Sequence, residues 1–249
     1  MPKAINELLA LVGINLKVRY RQTAVGFLWV ILNPIILFTV QAVLFTRILA
    51  HSDSSYYYYL LTGLLPWFYL SQTAQMGCNY IRVNSGLVKN LRIHPFKLIA
   101  GLAIENYINL LAASLIIYVV LFLSYGGGLT SFFVFLAASI FLLVLVCLIT
   151  FIAAMLYVVF RDTNYILHFI FTVLYFMTPT FFYAEHLPTE FAQLLKINPF
   201  FWVISLFRVK DFSASSIEIL IANLLIFLVV SASGFWLWKK LRNKIYLKL

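Results

Sequence analysis

The chain has 249 residues, 63% of them hydrophobic and only 10% charged, with a mean hydropathy of +0.98 and a net charge of +10. A soluble domain carries about a quarter charged residues, so these figures exclude a water-soluble fold and indicate an integral membrane protein. The positive charge falls between apolar runs, which makes it a signal of topology with some attraction to anionic headgroups, and a weak argument for nucleic acid.

The N-terminal segment comes first. From Lys3 to Lys17 the apolar residues Ile5, Leu8, Leu9, Val12 and Leu16 recur at helical spacing, with Lys3, Asn6 and Glu7 away from that face. The stretch is too short and too polar to span, so it is expected to lie in the interface. It leads through the basic junction Arg19-Tyr20-Arg21-Gln22-Thr23 into the first long apolar run. That run has no A-x-A-like site after it and is expected to remain as a span.

Six segments are long and apolar enough to cross a hydrocarbon core of about 30 Å, which needs about 20 helical residues. They are residues 27–46, 57–77, 98–123, 130–160, 165–183 and 219–238. No ten-residue alternation of the barrel kind is present, so the expected fold is an all-α bundle of one domain covering residues 1–249. The first span contains Asn33-Pro34 and the second Pro66, and each proline is expected to kink or interrupt its helix, as a packing feature or as a hinge.

The connection 82–97 is basic and turn-rich. Asn84-Ser85-Gly86 is read as the cap of a short helix over 87–92, and His94-Pro95 as its stop, within a cytoplasmic element spanning 84–95. The segment 184–216 reads as two short helices, one opened by Pro188 and one by Asn198-Pro199. Such a pair is either a re-entrant hairpin capping a pathway or a hairpin lying flat on the surface.

Orientation follows from Lys and Arg. Fourteen of the eighteen lie in the N-terminal segment, the second and fourth connections and the C-terminal tail. The positive-inside rule makes that side cytoplasmic and places both termini there. Five of the eight acids, Asp53, Glu185, Glu190, Asp211 and Glu218, fall on the other side.

Motifs for catalysis, metal binding or nucleotide phosphates are missing from the sequence, and Cys78 and Cys147 read as buried free thiols. Inside the spans Glu105 is the main ionisable residue, read as an interhelical anchor that shares a face with Asn109. The chain is rich instead in aromatic side chains, with 24 Phe, 15 Tyr and 5 Trp. They form either an interfacial belt or a wall on which sugar C–H groups pack.

Taken together, Arg19-Tyr20-Arg21-Gln22-Thr23, Gly26-Phe27-Leu28-Trp29, Asn33-Pro34, Phe160-Arg161-Asp162, Asn198-Pro199-Phe200-Phe201 and Phe207-Arg208 resemble the permease subunits of type-2 ABC exporters, in the branch that moves polysaccharides and polyol phosphates. The resemblance implies a homodimer in the bacterial inner membrane with a pathway between its copies. It also implies two copies of a separate cytoplasmic ABC ATPase, which would hold ATP and Mg, so this chain itself carries no cofactor and no catalytic residue. The expected contacts with that ATPase are Arg19, Tyr20, Arg21, Leu87, Lys89, Asn90, Arg92 and His94. The expected channel wall is Phe27, Trp29, Phe38, Phe45, Tyr175, Phe176, Phe181, Phe182 and Tyr183, and the expected hinge and gate are Asn33, Pro34, Pro188, Asn198, Pro199, Phe200 and Trp202. The implied cargo is a lipid-linked glycan of the O-antigen kind, with capsule or teichoic acid polymers as alternatives. An ion-coupled carrier would need more charge inside the spans and internal repeats, and a lipid-modifying enzyme would need an acid/base or metal constellation.

Overall fold

A backbone in hydrocarbon has to satisfy its own hydrogen bonds, and the described residues do so as helices joined by turns, with no strand among them. The computed structural model describes residues 7, 10–13, 26–48, 54–126, 129–209 and 214–248. In chain order the helices are α1 (Gly26–Ile48), α2 (Ser54–Cys78), α3 (Tyr80–Val83), α4 (Ser85–Lys89), α5 (Pro95–Tyr125), α6 (Leu129–Val159), α7 (Thr163–Phe176), α8 (Thr189–Ile197), α9 (Pro199–Leu206) and α10 (Ala214–Lys248).

Three helices, α5, α6 and α10, combine the length and hydropathy of a membrane crossing, and α1 and α7 add shorter apolar stretches. The 25-residue α2 is long enough but more polar. Its place in the fold explains the difference, because α2 is surrounded by α1, α5, α6, α7 and α9. Leu60, Leu61, Leu64, Leu65, Leu70 and Ala74 are all but sealed from the surface. A helix wrapped in protein can carry Ser, Thr and Gln that neighbouring helices satisfy, while the helices around it must face lipid with Leu, Ile, Val and Phe.

Several boundaries differ from the sequence reading. The fifth run, 165–183, ends its helix at Phe176, because Thr178-Pro179-Thr180 cannot continue it; α7 has 14 residues, or about 21 Å of rise. Past that point the chain is irregular, and buried Thr178 and Thr180 anchor it. α1 runs through Pro34 and α2 through Pro66 without interruption. In the basic connection the helix is Ser85–Lys89 and not 87–92, and Asn84 donates its side-chain amide to the Tyr80 carbonyl (3.0 Å) instead of capping it. His94-Pro95 opens α5 where a stop was expected: the His94 Nδ1 accepts the Phe96 N–H (3.2 Å) and Pro95 occupies the first turn. Of the expected interfacial helix, residues 7 and 10–13 are described and helical.

Close approach of helices needs a missing side chain at two points on α2. A Cβ at Gly77 would overlap the Cγ2 of buried Thr150 on α6 and crowd Leu102 of α5 at 3.3 Å. Gly77→Ala is therefore expected to destabilise the protein by about 1–3 kcal/mol, the usual cost of overpacking. Combining it with Thr150→Ser, which removes the obstructing methyl, should recover most of that loss, as read by thermal unfolding in detergent.

Candidate functional site

Two groups of residues, at opposite ends of α2, carry the features singled out in the sequence. At the basic end, α3 and α4 fold back under the bundle. Val88 is buried with Leu11 and Leu98, which pins α4 to the start of α5 and to the N-terminal segment. Lys97 Nζ meets Glu7 Oε2 at 2.6 Å across the same contact, and the space beside Gly101 is filled by Leu11. The rest of the turn points away from the protein: Lys89, Asn90, Leu91 and Arg92 are exposed, as is Val83.

Arg92 is the one described non-glycine residue with positive φ, at 52°. This left-handed step lets the Ile93 N–H reach back to the Leu87 carbonyl (3.2 Å) and turns the chain into α5. Partial burial, and then the charge of Lys97, hold the His94 imidazole below the usual histidine pKa. A neutral ring is what its capping bond requires, since Nδ1 must keep a lone pair for the Phe96 N–H. The ring also lies 4.8 Å from that of Trp238 on α10.

At the other end the aromatic residues form a continuous set. Phe45 of α1 stacks on Phe181 at 4.7 Å, and the Tyr175 hydroxyl donates to Gln41 Oε1 (2.9 Å). Tyr56 and Tyr59 of α2 donate to the carbonyls of Phe181 (2.8 Å) and Phe182 (2.6 Å), and the Tyr183 ring sits 4.2 Å from that of Tyr59. The tyrosines thus satisfy carbonyls of the irregular chain that follows α7, which has no helix to supply their partners.

Asn198 joins the two short helices to this set. It is buried; its Oδ1 accepts the Phe200 N–H (3.0 Å), and its Nδ2 donates to Met177 O (3.1 Å) and Thr178 Oγ1 (2.9 Å). One carboxamide therefore starts α9 and fastens it to the end of α7. Phe200 then packs edge-on against Trp67 of α2, and Trp202 donates to the Lys196 carbonyl (2.9 Å).

Arg208 closes the group. Its guanidinium lies 3.5 Å from the centre of the Tyr59 ring and donates to Tyr59 O (3.2 Å) and Thr62 Oγ1 (3.4 Å). The fit depends on Gly63, where a Cβ would collide with Thr180 O and come within 2.7 Å of Arg208. A cavity of about 750 Å³ opens beside it, walled by Tyr58, Tyr183, Ser205 and Ser216 among others.

The structure thus brings Leu87, Lys89, Asn90, Arg92 and His94 together at one end, and Phe45, Tyr175, Phe176, Phe181, Phe182, Tyr183, Asn198, Pro199, Phe200 and Trp202 at the other. Phe38 is buried in the core and turned away from any surface. Asn33 and Pro34 lie on α1 nearer its basic end, beside α5, and Pro188 precedes α8 at the surface. Arg19, Tyr20 and Arg21 lie outside the described residues, as do the side chains of Phe27 and Trp29. Sequence reasoning passed over Gln41, Gly63 and Gly77, whose roles come from contacts across helices, and noted Arg208 only as part of a motif.

Residues 6–212 match the family model described as ABC-2 type transporter. The chain is 30% identical over 195 residues to the O-antigen export system permease protein RfbA of Myxococcus xanthus, covering 77% of this chain and 75% of that protein. It is 25% identical over 197 residues to the polysialic acid transport protein KpsM of Escherichia coli, covering 78% and 76%. A Klebsiella pneumoniae O-antigen export system permease protein RfbA is 24% identical over 194 residues, covering 74% and 72%.

The double duty of Asn198 is separable. Asn198→Ala is expected to cost about 2–3 kcal/mol, from a lost cap and from stranded acceptors at Met177 and Thr178. Asn198→Ser keeps a capping oxygen and should recover about 1 kcal/mol of that. Hydrogen exchange over 189–206 should rise in both variants, because each frees α9 from α7.

Proposed function

The chain belongs to the ABC-2 type transporter family, and on that premise we propose that it is the permease of an ATP-driven exporter of cell-surface polysaccharide. Two copies would line a pathway through the bacterial inner membrane for a lipid-linked glycan of the O-antigen kind, with six spans each and both termini in the cytoplasm. Hydrolysis falls to a separate cytoplasmic ABC ATPase, also in two copies. The observation that carries this reading is the match across residues 6–212, with relatives named for O-antigen export and polysialic acid transport. O-antigen is the cargo class preferred here because the 30% identical relative carries that name.

The geometry supports the division of labour. The exposed turn with Lys89, Leu91 and Arg92 combines two cations with an apolar side chain that is 64% exposed. Water gains nothing from an exposed leucine on a rigid turn, whereas a groove on a partner does. Behind this turn, Val88, Leu11 and Leu98 tie the N-terminal segment and α5 to it, so a push on α4 reaches both. Along α7, Tyr165, Phe169, Val173 and Phe176 leave an apolar stripe uncovered, as lipid or a second copy would require. The hairpin of α8 and α9, fastened through Asn198, is then the outer gate.

Lys89→Glu combined with Arg92→Glu is expected to abolish glycan export in cells that lack their own O-antigen permease, and to uncouple the copurified ATPase, while the protein still reaches the membrane. Export and coupling at wild-type levels would sink the assignment of this turn. Arg92→Gly separates charge from backbone. Because a side chain in the left-handed region costs about 1–2 kcal/mol, that variant should unfold no earlier than the wild type and still export less.

A further inference from the structure

A second polar site lies away from the aromatic group. α1, α2 and α5 part to leave a cleft of about 360 Å³ whose described lining includes the polar residues Asn33, Gln72, Thr73, Asn106 and Asn109. At about 1.5 Å per residue these positions lie about 9–16 Å from the basic ends of their helices: Asn33 about 10 Å into α1, Asn106 about 16 Å into α5 and Gln72 about 9 Å before the end of α2. Asn106 donates to Thr73 Oγ1 (3.2 Å). Asn33 and Gln72 are exposed, and their amides have no side-chain hydrogen bond among the described residues.

Polar side chains converging from three helices at membrane depth are expensive to keep and mark functional positions. None of the described lining residues is charged, so among them an ionic ligand would lose its hydration without compensation. An apolar ligand would strand the amides. A carboxamide offers both a donor and an acceptor, as a sugar hydroxyl does, and Phe68 adds a ring face for sugar C–H groups. The volume lies at the small end of ligand sites, which run from about 300 to 1,000 Å³.

We propose that this cleft binds a neutral, hydroxyl-rich sugar residue, a contact point for cargo before it reaches the aromatic end. The inference rests on the export reading but is tested on the isolated permease, so its failure leaves the export assay above unaffected. The full chain, in nanodiscs of phosphatidylethanolamine and phosphatidylglycerol, is photolabelled with a diazirine-bearing maltotriose and the adducts are mapped by mass spectrometry. Adducts are expected within 65–76 and 106–113, displaced by plain maltotriose and not by the same concentration of trigalacturonate. Asn33→Leu with Gln72→Leu should cut labelling about tenfold, the loss of one or two good polar contacts. Its melting temperature should be unchanged or higher, since neither side chain has a hydrogen bond among the described residues. The proposal is overturned by adducts confined to 175–183 or absent altogether, or by equal displacement by trigalacturonate. Wild-type labelling of the double variant overturns it too, and so does lost labelling with a lowered melting temperature, which would make the amides structural.

Discussion

Close packing against α2 is the constraint on which the two ends of the molecule depend. Gly63 and Gly77 lie about four turns apart on this helix, each at a point where a neighbour occupies the space of a Cβ. At Gly63 the neighbours are the irregular chain after α7 and the Arg208 guanidinium; at Gly77 they are Thr150 of α6 and Leu102 of α5. Transmembrane helices gain little from burying apolar surface against each other, because lipid is equally apolar, so contact distance and polar bonds decide association. Two glycines on a buried helix, one near its middle and one at its end, therefore do more than the leucines between them to set where neighbouring helices stand.

The same reasoning explains which parts of the fold are legible in the sequence. Hydropathy responds to lipid contact, and it located α5 and α6 within a few residues because those helices expose Leu123, Phe133 and Ile140 to the surroundings. It also placed α2, as 57–77, within three residues of Ser54–Cys78, though Thr62, Ser71 and Thr73, buried against protein, make that helix more polar. The overextension of the fifth run to Tyr183 had a visible warning in Pro179, since proline has no N–H to continue a helix. The basic connection was read at the right place with the wrong helix. Asn84 has the residue type of a cap, but its amide was taken by the Tyr80 carbonyl, a competition that spacing alone does not resolve.

Site residues divide along similar lines. Asn198-Pro199-Phe200 was legible because capping is local, involving one side chain and an N–H two residues on. Its two further bonds, to Met177 and Thr178, were not, because those contacts span some twenty residues. Arg208 over Tyr59 is hidden for the same reason: the two are 149 positions apart. Long-range polar contacts of this kind leave no periodic trace, and only three-dimensional proximity reveals them.

One local device nevertheless recurs at both ends, and its two forms differ chemically. His94-Pro95-Phe96 and Asn198-Pro199-Phe200 each place an extended capping residue before a proline and accept the N–H of the phenylalanine that follows. Proline fits the first turn because its missing N–H would have had no helical partner there. A carboxamide keeps its acceptor at any pH, so the Asn198 joint is indifferent to protons. An imidazole keeps its acceptor only while neutral, and protonation of His94 would replace a lone pair with a second donor facing the Phe96 N–H. Burial and Lys97 oppose that protonation. The result is that the start of α5, which bears the salt bridge to Glu7 and the contact to Val88, keeps its cap at a pH where a free histidine would already be charged.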